Sequence, residues 1–229
     1  MDMEITKTGI KTLDEMLGSG LPKASLALIA SRPGMGKTTL ALQIAGNMAK
    51  SGKKVLLFSL EMSENTVRNR ITKQTVFEVK NNITIDETAP VGIDYICNKV
   101  ASTETVDAVI IDYFQLIKEK EPKHEHTDTK WGEISTALKS LVKTSEIPFI
   151  VTSQLNRFTN DRLSMMNSVR ETGTLQQDAD IIIFPYQETF YPEHTDTSKK
   201  YNLIIAKNRY GETGEIPVLW NPEKLIFEE

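Results

Sequence analysis

Disulfide chemistry is excluded first: the 229 residues hold a single cysteine, Cys97. No internal bridge can form, and a reducing compartment suits such a chain. Cys97 stands in the apolar stretch from Ile93 to Val100 and reads as a small buried hydrophobe. Long apolar runs are missing as well, and none approaches the roughly 20 residues a membrane-spanning helix needs. The opening Met-Asp-Met-Glu lacks the basic start and apolar core of a secretory signal. A soluble cytoplasmic protein without membrane contact is expected. Positive charge is scarce: 27 Lys and Arg stand against 31 Asp and Glu, for a net charge of −4. Any nucleic-acid contact must therefore come from a local basic patch. Repeats and flexible linkers are absent, and the composition, 39% hydrophobic and 25% charged, suits one α/β domain with a substantial core.

What is present is alternation. Apolar, β-branched runs predict strands at Leu26–Ala30, Val55–Leu60, Ile83–Asp86, Ala108–Asp112, Phe149–Gln154, Ile181–Phe184, Leu203–Ala206 and Ile216–Trp220. Helical periods predict helices at Thr38–Ser51, Ser63–Lys73, Gly92–Ser102 and Trp131–Ser145, with Ser63 as an N-cap. In the last helix, Ile134, Leu138, Leu141 and Val142 fall on one face. Strands apolar almost throughout suit a mostly parallel, twisted sheet with helices on both faces. The last two strands, split by Tyr210-Gly211-Glu212-Thr213-Gly214, predict a C-terminal β-hairpin at the sheet edge. Polar stretches from Lys118 to Thr129, Arg157 to Ser168 and Glu188 to Lys200 read as loops. The first two leave the carboxyl end of the sheet, where ligands bind in such folds.

Between the first predicted strand and the first long helix lies Ser31-Arg32-Pro33-Gly34-Met35-Gly36-Lys37-Thr38-Thr39. Gly34 and Gly36 let backbone N–H groups turn inward around a phosphate chain, and the helix N-terminus adds its positive dipole end. Lys37 supplies charge for the outer phosphates, and Thr38 offers a hard oxygen to Mg²⁺. Ser31 stands where the phosphate-loop pattern has its first glycine. Three further strand ends predict partners for a nucleoside triphosphate such as ATP. Asp112 closes Val109-Ile110-Ile111 and suits a metal-reaching carboxylate. Glu61 follows Leu56-Leu57-Phe58-Ser59-Leu60, on a strand expected beside the phosphate-loop strand, and suits a base for the attacking water. Gln154 closes Phe149-Ile150-Val151-Thr152-Ser153 and suits a neutral detector of the γ-phosphate.

These segments together resemble DnaB-type replicative helicases of bacteria and phages. The resemblance is carried by Glu61-Met62-Ser63, Asp112-Tyr113-Phe114-Gln115-Leu116 and Ser153-Gln154-Leu155-Asn156-Arg157. It continues through Arg170-Glu171-Thr172-Gly173, Gln176-Gln177-Asp178-Ala179-Asp180 and Ala206-Lys207-Asn208-Arg209-Tyr210-Gly211. It runs from about Thr8 to the last hairpin. The segment from Gly9 to Ala49 alone is also similar to recombinases and circadian-clock ATPases of the RecA-like superfamily. The resemblance implies a RecA-like phosphate-loop NTPase fold and a DNA helicase motor that hydrolyses ATP with Mg²⁺. In that frame Lys37 and Thr38 hold phosphates and metal, Glu61 is the base, Asp112 the metal carboxylate and Gln154 the sensor. Arg70 matches a nucleotide-contacting arginine, and Lys207 and Arg209 match fingers inserted into the neighbouring subunit's site. Arg170, Glu171 and Gly173 match the loop that grips single-stranded DNA. Lys118, Lys120 and Lys123 stand among Glu119, Glu121 and Glu125, so that stretch reads either as a further source of charge for DNA or as a solvated loop.

The resemblance also implies a homo-hexamer. The family's N-terminal domain and linker helix have no counterpart, and the segment between Arg70 and Ile83 is short. Both features imply weaker subunit contacts. The competing expectation is therefore a shortened, ATP-binding chain that assembles with, or regulates, a full-length replicative helicase.

Overall fold

A computed structural model describes residues 4–75, 81–118, 127–155, 174–187 and 200–229. Its centre is β3 (Leu26–Ser31), buried along its whole length. Side chains alternate across a strand, and here each alternation finds a separate core. Ala27 and Ile29 join one apolar cluster, while Leu26, Leu28 and Ala30 join another on the opposite face. The same alternation holds in β4 (Val55–Ser59), β6 (Ala108–Asp112) and β7 (Phe149–Gln154). Residues of α1 (Lys11–Met16), α2 (Lys37–Lys50) and α3 (Glu64–Thr75) cover the first face. Those of α4 (Ile93–Ser102), α5 (Thr127–Ser145) and α6 (Thr174–Asp178) cover the second. This is the two-sided α/β architecture the apolar strands predict. No helix among the described residues is long and apolar enough to cross a membrane.

The large sheet has nine strands in the order β11-β10-β9-β8-β3-β7-β6-β4-β5, with β5 (Ile83–Asp86) and β8 (Ile181–Tyr186) inside its parallel part. β9 (Lys200–Asn208), β10 (Gly214–Asn221) and β11 (Ile226–Glu228) add on antiparallel. A separate ladder joins β1 (Ile5–Thr6) to β2 (Leu21–Pro22).

The strand order corrects one expectation. β4, which leads to Glu61, is not beside the phosphate-loop strand: β7 and β6 lie between them. The crossover through α2 passes over both strands, whose apolar residues need cover on that face. Smaller differences follow from packing. The hairpin of β9 and β10 is observed, but β11 and not β10 forms the edge. The helix expected from Trp131 starts at Thr127, inside the stretch expected to be a loop. Lys200, expected in a loop, begins β9. Ile134, Leu138 and Val142 of α5 are buried as expected, with Leu141 half-buried. Cys97 is half-buried, and burial pushes its thiol up from the ordinary range.

Candidate functional site

The register sets the site out along the carboxyl end of the sheet. Ser31 ends β3 directly beside Gln154 at the end of β7. Asp112 ends β6 directly beside Ser59 at the end of β4. Ser31 is fully buried and continues the ladder before the chain turns, so its Cβ has a place and the missing first glycine is explained. The turn proper needs glycine: Gly34 and Gly36 have φ of 83° and 93°. A Cβ on Gly36 would also lie 2.7 Å from Cζ of Phe227, which is buried on β11. Gly36→Ala is expected to cost about 1–2 kcal/mol from the left-handed backbone alone. The contact with Phe227 adds to that, and an unchanged urea midpoint would contradict it.

Gly36 is the N-cap of α2, and among the described residues no side chain caps the helix. The first-turn N–H groups therefore face the loop without a side-chain acceptor, as an anion-binding helix start requires. Met35 is fully buried and anchors the loop from beneath, while Pro33 and Gly34 are exposed at its crest. Arg32, Lys37 and Thr39 are half-buried around it. The Lys37 ammonium stands 5.4 Å from the ring centre of Tyr113. Burial, then the negative charges of Glu61 and Asp112, push the Tyr113 phenol up from its usual range. Glu61, itself exposed, thus shares one electrostatic neighbourhood with Asp112 and the residue beside Lys37.

Asp112 is 2% exposed and its two carboxylate oxygens differ. Oδ1 accepts from the Thr152 hydroxyl and, at 3.2 Å, from the Thr38 hydroxyl. Oδ2 is buried with no partner among the described residues. A lone buried carboxylate oxygen is costly unless something outside the chain completes it. Carboxylate and hydroxyl oxygens are the hard donors that Mg²⁺ prefers, so these residues fit that ion. The contact also resolves the strand-order problem. Strand spacings of about 4.8 Å put β4 roughly 14 Å from β3. The start of α2, however, leans across β7 to β6 and carries Thr38 to Asp112. The ground beyond Thr38 is then flanked by Gln154 on one side and Glu61 on the other.

One contributor escaped the sequence reading. Gln115, in the 3₁₀ turn Phe114–Leu116, donates from Nε2 to Ser153 Oγ and to the Gln154 carbonyl, each at 2.9 Å. Its Oε1 accepts from the Gln154 N–H at 3.2 Å. This amide clamps the end of β7 and so orients Gln154. The clue was present in the segment after Asp112, but only three-dimensional proximity gives the glutamine its task.

Arg70 is half-buried on α3. One turn on, Gln74 donates to the carbonyls of Thr39 (3.2 Å) and Leu225 (2.8 Å), so this face of α3 meets the first turn of α2. Lys207 and Arg209 lie elsewhere. β9 runs antiparallel, so its end sits beside the start of β8, at the opposite end of the sheet from the phosphate loop. Lys207 donates to the carbonyls of Gln176 and Gln177 at 3.1 Å each, and Arg209 donates to Asp180 at 2.9 Å. Burial lowers the Lys207 pKa, and the neighbouring Arg209 adds to the effect. Lys118 follows the turn, exposed, and its N–H bonds to the Val91 carbonyl. Arg170, Glu171 and Gly173, with Lys120 and Lys123, lie outside the described residues.

The family model for the DnaB-like helicase C terminal domain matches residues 6–82 and 71–229. Replicative DNA helicase DnaB of Geobacillus stearothermophilus is 32% identical over 256 positions, covering 97% of this chain and 56% of that protein. Replicative DNA helicase DnaB of Buchnera aphidicola subsp. Baizongia pistaciae is 35% identical, covering 93% and 54%. The chain spans about half the length of the curated relatives it matches. The 256 aligned positions exceed the 229 residues available, so the Geobacillus protein carries residues this chain lacks. Among solved structures, a DnaB-like replicative helicase, described together with its interactions with primase, superposes with a TM-score of 0.89 at 28% identity. The match covers 100% of this chain and 62% of that one. The RadB recombinase, at 18% identity and a TM-score of 0.71 over 98% and 99% of the two chains, shares the RecA-like fold alone.

Proposed function

The chain belongs to the DnaB-like helicase C-terminal domain family, and on that premise we propose that it is a cytoplasmic ATPase motor domain acting on DNA. ATP binds in the loop from Ser31 to Thr39, hydrolysis occurs at subunit interfaces of a hexamer, and the energy moves single-stranded DNA through the ring. One observation carries the reading: the unpartnered Asp112 oxygen beside Thr38, at the mouth of an uncapped helix.

The backbone N–H groups of Gly34 to Thr38 cradle the phosphates, and Lys37 leaves the Tyr113 face to reach their outer oxygens. Thr38 and Asp112 would hold Mg²⁺, which when bound screens phosphate charge. Glu61 orients the attacking water and takes its proton. Gln154, held by Gln115, detects the γ-phosphate and passes its presence to the loop behind β7. Arg70 meets the nucleotide from α3. Lys207 and Arg209 serve the neighbouring subunit's site, because their own site lies at the other end of the sheet. Arg170, Glu171 and Gly173 grip the DNA backbone.

Arg170→Ala is expected to weaken single-stranded DNA binding at every sequence and to lower the salt slope by about one. An unchanged slope would contradict a phosphate contact. The function itself is tested by ATP-driven strand separation on a forked duplex. Separation supports a self-sufficient motor. Nucleotide binding without separation, restored by a longer replicative helicase, supports a chain that works only in company.

A further inference from the structure

Asp180 sits between α6 and β8 with its side chain 3% exposed, and it ties together β3, α5 and the residue that follows β9. Its N–H donates to the Leu26 carbonyl (2.8 Å), and its Oδ2 accepts the Leu26 N–H (2.9 Å). Leu26 is the first residue of the phosphate-loop strand. The same Oδ2 accepts the Lys139 ammonium from α5 at 2.5 Å. Oδ1 accepts the Arg209 guanidinium at 2.9 Å, and the Asp180 carbonyl accepts the Arg209 N–H at 3.1 Å. Lys207 stands in the same group, its charge opposed by Arg209 and Lys139 and favoured by Asp180 and Asp178.

The geometry points to Asp180 as the positioning residue for Arg209, an inference that rests on reading Arg209 as a finger for the neighbouring subunit. A guanidinium has five N–H donors in a rigid fork. Among the described residues the Arg209 side chain donates only to Asp180, and 52% of it is exposed. One arm is therefore held by Asp180 while half of the side chain stays exposed, within reach of a phosphate carried by another subunit. Three cations gathered around one buried carboxylate would otherwise repel one another and spread the finger over many directions. The anchor is also joined, through Leu26, to the strand that ends at this subunit's own phosphate loop. Six residues at about 3.3 Å each keep the finger some 17 Å or more from that loop, so Asp180 cannot serve hydrolysis at home through Arg209.

The test pairs variants in mixed assemblies. Asp180→Asn keeps the shape and an acceptor for Leu26, and is expected to lower kcat for ATP about 10²-fold, as a misplaced catalytic group does, with KM within about 2-fold. Adding Arg209→Ala to it should cost no more than Arg209→Ala alone, because residues acting as a unit are not additive. Lys37→Ala, inactive in its own site but with an intact finger, is then mixed with each variant. Recovered hydrolysis with both Arg209→Ala and Asp180→Asn is the expected result. Recovery with Arg209→Ala but not with Asp180→Asn overturns the role of Asp180 and leaves the finger standing. Recovery with neither overturns the finger reading, and this inference with it. If thermal melting shows that Asp180→Asn does not fold, Arg209→Lys decides. One ammonium cannot stay anchored and reach outward together, so a loss close to that of Arg209→Ala is expected, and wild-type turnover would overturn the proposal.

Discussion

Arg209→Ala is expected to slow ATP hydrolysis on the order of 10³-fold or more, the range for removing a transition-state arginine, while nucleotide affinity changes little. In the proposed mechanism the guanidinium stabilises negative charge on the transferred phosphoryl group. Its place is why the proposed effect acts between subunits: Arg209 follows β9 at the end of the sheet opposite Lys37. The local cost is small, because the side chain is 52% exposed and only one guanidinium contact to Asp180 is lost. Single-turnover hydrolysis alongside a nucleotide-binding isotherm checks this. Wild-type turnover would remove Arg209 from the mechanism.

Glu61→Gln should lower kcat by about 10²–10⁴-fold, the span attributed to a positioned general base. The amide keeps the size and can still hold a water, but it cannot accept the proton. Glu61 is exposed and follows β4, whose end is joined to Asp112 by the Leu60 N–H bond to the Asp112 carbonyl at 2.8 Å. Binding of ATP should survive, since Lys37 and the loop amides are untouched. A variant that hydrolyses at the normal rate would transfer the base to another group.

The candidate residues were more legible than the neighbourhood. Asp112, Gln154 and Glu61 announce themselves as polar residues ending apolar strands, because such a strand tolerates a carboxylate or amide only where it leaves the core. Which strands adjoin is not written in any one of them. β7 arrives late in the chain yet inserts next to β3, and its apolar pattern would serve equally well elsewhere, hence the misplaced neighbour of Glu61. Short elements were invisible for a different reason. The six residues of α1, the three of β11 and the five of α6 give too few positions for a period to emerge. Asp180 and Gln115 belonged to recognisable segments, but their work depends on partners 29 and 39 positions away. Sequence spacing carries no trace of such pairs.

The central proposal is a magnesium-bound triphosphate whose metal Thr38 and Asp112 would hold. The direct measurement is ATP affinity titrated with and without Mg²⁺, in the natural chain and in Asp112→Asn. Mg²⁺ is expected to tighten binding to the natural chain, and this dependence is expected largely to disappear in the variant. An equal response to Mg²⁺ in both proteins would contradict it.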